Sequence, residues 1–304
     1  MKRAIITGAT GAVGMALIQE LIKNEIEVLV FCREGSLRNE RIPKHPLVSL
    51  KYCSLDQLAE VENNSDKSYD VFYHFAWEGT TGTARNDMYL QNLNVRYALD
   101  AVHAAHRFGC NAFIGAGSQA EYGRVEGILK SDTPTFPEMG YGIAKLCAGQ
   151  MTREAAHQLG LKHIWARILS VYGPFDGEQS MIMATIHNLK IGVIPKFTKG
   201  EQIWDYLYSS DAARAFYLLG EFGHDGKVYV MGSGQAKPLV EYIKVIRDSV
   251  DKNAELDIGA IPYSKNQVMY LCADIKELVK DIGYHPSVSF ITGIKRIIDS
   301  LAFE

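Results

Sequence analysis

The first two-thirds of the chain alternates short apolar runs with longer segments of helical periodicity. The short runs are apolar on both faces, which is typical of strands in a parallel sheet covered by helices on both sides. The pattern predicts strands at 3–7, 27–31, 47–52, 70–75, 111–117 and 163–169, and helices at 12–23, 84–108 and 141–159. Because strand–helix–strand units are right-handed, this order predicts an α/β fold with a doubly wound parallel sheet.

The pattern changes after residue 174, where a helix is predicted at 178–191, a strand at 203–208 and a helix at 210–220 capped by Ser210 or Asp211. Short helical segments follow. We therefore predict a main domain at 1–174 and a smaller C-terminal α+β cap for substrate at 175–304, from which residues 203–222 return to the main domain.

Composition excludes several classes of protein. The 304 residues are 47% hydrophobic and 22% charged, as in an ordinary globular protein. A formal charge of −3 without a basic stripe disfavours a nucleic-acid partner, and we find neither a leader peptide nor an apolar run of the ~20 residues that a membrane span needs. Five scattered cysteines lack metal-ligand spacing. We expect a cytoplasmic protein with no metal site and no membrane partner.

Gly8, Gly11 and Gly14 lie between the first strand and the first helix. A glycine-lined turn lets backbone amides approach a pyrophosphate, and the helix dipole favours its negative charge. Three glycines alone also fit a simple tight turn, but this position at the start of an α/β chain predicts a dinucleotide-binding Rossmann domain.

The end of the second strand bears on the choice of dinucleotide. An acidic residue there would favour NAD, whereas an arginine pairs with the 2′-phosphate of NADP. The chain has Arg33, with Arg38, Arg41 and Lys44 close behind, although Glu34 beside Arg33 keeps NAD open. The sequence thus favours NADP(H) over NAD(H).

Tyr141 and Lys145 are four residues apart in a predicted helix and so share one face. Such a pair is ordinary on a helix surface. A free phenol has a pKa near ~10, and a cation one turn away would lower it toward the value that a proton donor needs. Neighbouring motifs must decide between these interpretations.

Six motifs, in order along the whole chain, resemble the extended short-chain dehydrogenase/reductase family, in particular its nucleotide-sugar branch. TGATGAVG resembles the cofactor loop, and YHFAW at 73–77 resembles the motif after the fourth strand. NLNVRYALDAV contains Asn94, GSQAEYG contains Ser118, and YGIAK contains Tyr141 and Lys145. RILSVYGP resembles the segment that joins the nicotinamide and sugar sites.

The resemblance implies catalytic roles for four residues. Tyr141 would be the proton donor, Lys145 would hold the nicotinamide ribose and lower the phenol pKa, and Ser118 would orient the substrate oxygen. Asn94 would be a structural and proton-relay residue. The implied cofactor-binding residues are Thr7, Gly8, Gly11, Ala12, Val13, Gly14, Arg33, Ser54, Leu55, Phe75, Ala76, Trp77, Tyr141, Lys145, Ile168 and Leu169. The implied substrate-binding residues are Trp77, Glu78, Thr81, Gln119, Ser170 and Trp204.

Departures from the family pattern narrow the reaction. Its 4,6-dehydratases carry an Asp-Glu pair directly after the active-site serine or threonine, where this chain has Gln119 and Ala120, and Glu121 is out of register. Ser170 and Trp204 replace polar residues that often contact the nucleotide. Diphosphate contacts are then expected from Lys196, Lys199 or Lys265.

Two reactions remain. The favoured one is NADPH-dependent reduction of a nucleotide-linked 4-keto-6-deoxyhexose for polysaccharide biosynthesis, and the alternative is an NAD-dependent nucleotide-sugar 4-epimerase. A non-catalytic NADP-binding sensor is disfavoured because it would not need Ser118, Tyr141 and Lys145 together. The expected partners are a nucleotide-diphosphate sugar and a second copy of the chain, through helices 84–108 and 141–159.

Overall fold

The structure, a computed structural model, describes residues 1–301. The strands of its main sheet are β1 (Arg3–Thr7), β2 (Glu27–Cys32), β3 (Val48–Tyr52), β4 (Val71–His74), β5 (Ala112–Ser118) and β6 (Lys162–Ile168), together with the later β10 (Val228–Met231). They run parallel in the order β10-β6-β5-β4-β1-β2-β3. The doubly wound parallel sheet is therefore confirmed, and each strand predicted for it lies within one residue of its observed bounds.

Helices cover both faces of this sheet. Those packed on it are α1 (Ala12–Lys23), α2 (Met88–Arg107), α3 (Gly140–Gln158), α5 (Ser209–Phe222) and α7 (Lys276–Ile282), and the cap carries α4 (Met181–Lys190), α6 (Leu239–Val250) and α8 (Phe290–Ser300). Apolar side chains of α1, α5 and α7 fill the core on one face, and those of α2 and α3 fill the other. No helix in the described chain is long and apolar enough to span a membrane.

The cap contains a three-stranded sheet of β7 (Ser170–Tyr172), β9 (Ile203–Tyr208) and β11 (Ala236–Pro238), in the order β11-β9-β7. A two-stranded sheet joins β8 (Lys196–Phe197) to β12 (Asp257–Ile258). Helices α4, α6 and α8 share a core with Tyr172 and Tyr208. Within the predicted return segment 203–222, α5 packs on α1 of the main domain, whereas β9 pairs with β7 in the cap sheet. Strand β10, which follows this segment, joins the main sheet beside β6. The domain boundary at 174 stays a prediction.

The predicted cap of helix α5 was wrong. The helix begins at Ser209 with Tyr208 at the N-cap position. The Asp211 carboxylate accepts hydrogen bonds from the amides of Ser287, at 3.0 Å, and Val288, at 2.8 Å. Asp211 therefore ties the C-terminal segment to the main domain instead of capping its own helix.

Candidate active site

The loop between β1 and α1 is shaped to receive a phosphate. Gly8 has φ +71°, and a Cβ there would lie 2.5 Å from the Ala76 nitrogen. A Cβ at Gly14 would lie 2.6 Å from the Gly8 oxygen, so side chains at these positions would push β1, the loop and β4 apart. At Gly11, the N-cap, the nearest described atom to a Cβ is 4.0 Å away. The first amides of α1, at Ala12, Val13 and Gly14, have no acceptor within the helix and fit a dinucleotide pyrophosphate.

Thr7 fastens this loop to β4. Its Oγ1 accepts from the Ala76 amide at 3.3 Å and lies 2.9 Å from Nδ1 of His74. Burial lowers the pKa of His74 to about 3, so the imidazole is neutral. This histidine lies within the YHFAW motif, and its role does not follow from the sequence. Phe75, which follows it, packs against Phe216 of α5 with ring centroids 4.6 Å apart.

A basic loop, which we define as Arg33, Arg38, Arg41 and Lys44, follows β2. All four side chains are exposed. The Arg33 carbonyl accepts from Asn39 Nδ2 at 2.7 Å, which shapes the turn. The guanidinium carbon of Arg41 lies 5.6 Å from the ring centroid of Phe175, on the segment after β7. The loop thus presents guanidinium groups at the edge of the sheet where the glycine loop lies.

Four predicted cofactor residues lie at the ends of β3 and β6. Ser54 donates its amide to Gln57 Oε1 at 2.9 Å and caps the short turn that starts at Leu55. Ile168 ends β6, and the buried Leu169 donates its amide to the Met231 oxygen at 3.0 Å. Their contact with a cofactor stays a prediction.

Ser118, Tyr141 and Lys145 come together where β5 ends and α3 begins. Ser118 is the last residue of β5, and its Oγ accepts from the Ala120 amide at 3.2 Å. A Cβ at Gly142 would lie 2.3 Å from the Ala120 oxygen, so the first turn of α3 closes directly on this segment. The serine, tyrosine and lysine that the sequence motifs predicted to act together therefore lie on adjoining segments of the fold.

Lys145 is buried behind the tyrosine. Its Nζ donates to the Ala116 oxygen at 2.6 Å and lies 3.8 Å from the ring centroid of Trp77. Burial lowers the pKa of Lys145 to about 7, and the Glu121 charge opposes this shift. The ammonium and the neutral amine are therefore both populated near neutral pH.

Tyr141 differs from the expectation in the direction of its pKa. Burial raises the pKa of the phenol, while a hydrogen bond with Ser118 and the charge of Arg85 act in the opposite direction. The Lys145 nitrogen is 5.9 Å from the Tyr141 ring centroid and is directed at a backbone oxygen. The net shift in this structure is upward, because desolvation outweighs the favourable charges.

Glu121 is the residue that sequence reasoning missed. It is fully buried, and its Oε1 accepts from the Ser118 amide at 2.7 Å and from Trp165 Nε1 at 3.0 Å. Its Oε2 accepts from Nε of the buried Arg167 at 2.7 Å. Arg167 could have pointed to Glu121 from the sequence alone, because an arginine inside an apolar strand needs a buried counter-charge.

Asn94 and Trp77 organise the segment after β4. Asn94 is buried, and its side chain donates to the Glu78 oxygen and accepts from the Glu78 amide, both at 2.9 Å. Trp77 Nε1 donates to Gln91 Oε1 at 2.9 Å. The side chains of Glu78 and Thr81 are exposed. The structural role expected of Asn94 is visible, whereas its proton-relay role stays a prediction.

The predicted substrate residues of the cap are joined to each other. Trp204 Nε1 donates to Ser170 Oγ at 2.8 Å across β9 and β7, and both residues are half-buried, as is Gln119. Lys196, Lys199 and Lys265 are exposed on the cap. Contact of any of these residues with a substrate stays a prediction.

Comparison with known proteins finds relatives that match nearly the whole length of this chain. The dTDP-4-dehydro-6-deoxyglucose reductase of Escherichia coli is 25% identical over 309 residues, covering 98% of this chain and 96% of that protein. The CDP-abequose synthase of Salmonella typhimurium is 25% identical over 305 residues, covering 98% and 97%. The structure of the UDP-N-acetylglucosamine 4-epimerase of Methanobrevibacter ruminantium matches with a TM-score of 0.88 at 20% identity, covering 99% of this chain and 98% of that one, and supports the fold.

The family profile of NAD-dependent epimerases/dehydratases matches residues 4–232. That range runs from β1 through β10 and includes the glycine loop, Ser118, Tyr141 and Lys145. The resemblance to extended short-chain dehydrogenases/reductases is thereby confirmed, and the chain belongs to the NAD-dependent epimerase/dehydratase family of enzymes.

Proposed function

We propose that the protein is an NADPH-dependent reductase of a nucleotide-linked 4-keto-6-deoxyhexose. The observation that carries this proposal is the grouping of Ser118, Tyr141 and Lys145 beside Gln119 and Ala120. The three polar side chains suit reduction of a sugar ketone, while the two following positions lack the carboxylates that elimination of water would need. The relationship to a 4-dehydro-6-deoxyglucose reductase supports the same substrate class.

The residues have separate tasks in this reaction. The bound nicotinamide supplies the hydride, and Tyr141 gives a proton to the sugar oxygen. Ser118 Oγ accepts from the Ala120 amide and is hydrogen-bonded with Tyr141 in this structure, and in the reaction its hydroxyl would donate to that sugar oxygen. Lys145 holds or releases a proton near neutral pH because its pKa is about 7.

The preference for NADPH is supported by the basic loop. Its arginines are exposed at the end of β2, and a guanidinium forms bidentate hydrogen bonds with a phosphate. The glycine loop and the first amides of α1 would hold the pyrophosphate of either dinucleotide. The preference therefore depends on the arginines alone.

A second candidate is an NAD-dependent nucleotide-sugar 4-epimerase. The same three side chains serve oxidation followed by re-reduction, and Glu34 lies beside Arg33 at the end of β2. An acidic residue in this region favours the free ribose hydroxyls of NAD. The two candidates differ in the direction and number of hydride transfers, not in the catalytic residues.

One experiment separates them. The purified protein is incubated with NADPH and 4-keto-6-deoxyhexoses linked to different nucleotides, and loss of the reduced nicotinamide absorbance is followed. We expect stoichiometric oxidation of NADPH with at least one nucleotide. Tightly held NAD in the purified protein, with interconversion of 4-epimers and no net cofactor change, would establish the epimerase instead.

We also propose that the enzyme is a homodimer through α2 and α3. These neighbouring helices carry exposed apolar side chains, among them Met88, Tyr89, Ile143 and Met151. Light scattering should give the mass of two chains for the wild type and one chain for an Ile143→Glu, Met151→Glu variant. A monomeric wild type at micromolar concentration would exclude this dimer.

A further inference from the structure

An arginine without an assigned role lies on the ring of Tyr141. Arg85 belongs to the short turn Gly82–Asn86 between β4 and α2, and it is half-buried. Its guanidinium carbon is 4.2 Å from the centroid of the Tyr141 ring, and its Nη1 donates to the Thr80 oxygen at 2.8 Å. We propose that Arg85 is a positioning residue for Tyr141, which packs on the phenol ring and supplies the permanent positive charge that favours the phenolate. The inference rests on the proposed proton-transfer role of Tyr141.

The turn that carries Arg85 is fastened to the helix that carries Tyr141. Asn86 Oδ1 accepts from the amide of Gly140, the first residue of α3, at 2.9 Å. A Cβ at Gly140 would lie 3.1 Å from the Arg85 oxygen. The buried Gln91 donates to the Ala84 oxygen at 2.9 Å and so holds the other side of the turn. The guanidinium therefore has a defined position over the ring, unlike that of a free surface arginine.

The groups around Tyr141 show why we expect ionisation of its phenol to depend on Arg85 as well as on Lys145. Arg85 on its turn is positive, Glu121 after β5 is negative, and Ser118 on β5 contributes a hydroxyl. Lys145, on the same helix, has Nζ hydrogen-bonded to Ala116 and a pKa of about 7, so its positive charge is lost as the pH rises above neutral.

An arginine keeps its proton throughout this range. Burial raises the pKa of Tyr141, and the Arg85 charge lowers it. Above neutral pH, Arg85 is thus the cation beside Tyr141 that stays charged.

The direct test measures the phenol without any substrate. A 3-chlorotyrosine placed at position 141 has a more acidic phenol than tyrosine, and its ionisation is followed by absorbance in the free protein. In an Arg85→Gln background its pKa should rise by about one unit, a tenfold change in ionisation constant. Arg85→Lys, which keeps the charge, should give a smaller rise.

The matched control is Arg96→Gln, which removes an exposed arginine of α2 that pairs with Asp100 at 3.8 Å. It should leave the phenol pKa unchanged. An unchanged phenol pKa in the Arg85→Gln protein would overturn the proposal. Circular dichroism melting identifies any variant that fails to fold, and in that case the titration of an Arg85→Met protein, which also lacks the charge, decides by the same criterion.

The second measurement is the pH dependence of kcat/KM. In the pH profile of kcat/KM, the limb that reports ionisation of Tyr141 should move to higher pH in the Arg85→Gln protein, by the same amount as the phenol pKa. A merely structural defect would instead lower kcat/KM at every pH and leave the position of this limb unchanged. If no nucleotide sugar is turned over, the proposed reaction fails, but the phenol titration still decides the role of Arg85.

Discussion

The two regions that would meet the ends of the dinucleotide are built differently. The buried region, which we define as Ser118, Glu121, Tyr141 and Lys145, lies at the junction of β5 and α3, where its polar atoms bond to neighbouring groups. The basic loop after β2 is exposed. Charges in a low-dielectric interior interact strongly and shift pKa values, whereas exposed charges are screened by water and salt. We therefore expect substitutions in the buried region to change pKa values and stability strongly, and substitutions in the basic loop to change cofactor affinity weakly.

The largest effect is expected from Tyr141→Phe, which keeps the ring and removes the proton donor. Turnover should fall by about a hundred- to ten-thousand-fold, while cofactor affinity, measured by fluorescence titration, stays close to that of the wild type. Tyr52→Phe, an exposed tyrosine on β3, is the control and should retain full turnover. Full turnover by the Tyr141→Phe protein would remove this residue from the mechanism.

Glu121→Gln tests the buried side of the comparison. The change leaves the Arg167 guanidinium buried without its counter-charge, so the free energy of unfolding should fall by about 3 kcal/mol in urea denaturation. The control, Glu138→Gln, breaks the solvent-exposed pair with Arg124 and should have a much smaller effect. Equal losses in the two variants would mean that burial does not distinguish the pairs.

The lowered pKa of Lys145 should make the free energy of unfolding depend on pH. The unfolded chain keeps this proton up to the ordinary value of 10.5, whereas the folded protein releases it at about 7. Between these values the unfolded state binds more protons, so the stability of the wild type relative to Lys145→Met should rise with pH, by up to about 1.4 kcal/mol per unit. Urea denaturation at several pH values measures the difference, and a constant difference would contradict the lowered pKa.

The sequence predicted the elements of the fold well because apolar runs and helical periods report burial directly. The start of α2 shows the limit. Periodicity placed it at 84, whereas Asp87 accepts from the amides of Tyr89 and Leu90, both at 3.1 Å, and so the helix begins at Met88. The capping aspartate was the missed signal, and the error placed Arg85 inside a helix instead of on the turn against Tyr141.

The candidate site was predictable where its residues fall in recognisable motifs, as for Ser118, Tyr141 and Lys145. Glu121 was not, because its partner Arg167 is supplied by β6, and spacing along the chain does not show which strands are neighbours. The upward pKa shift of Tyr141 was missed for a related reason. Proximity to a lysine is visible in a helical repeat, but desolvation of the phenol depends on the whole fold.

The smallest effect is expected from Arg33→Ala in the basic loop. This arginine is exposed, so its loss should weaken NADPH binding by roughly 1 kcal/mol, about fivefold in Kd, and should leave NADH binding unchanged. The difference between the two cofactors should shrink as salt is added, because the contact is screened. Lys44→Ala, in the same loop, controls for a general loss of positive charge. Equal weakening of NADPH and NADH by Arg33→Ala would show that the arginine does not contact the 2′-phosphate, and the argument for NADPH would then fail.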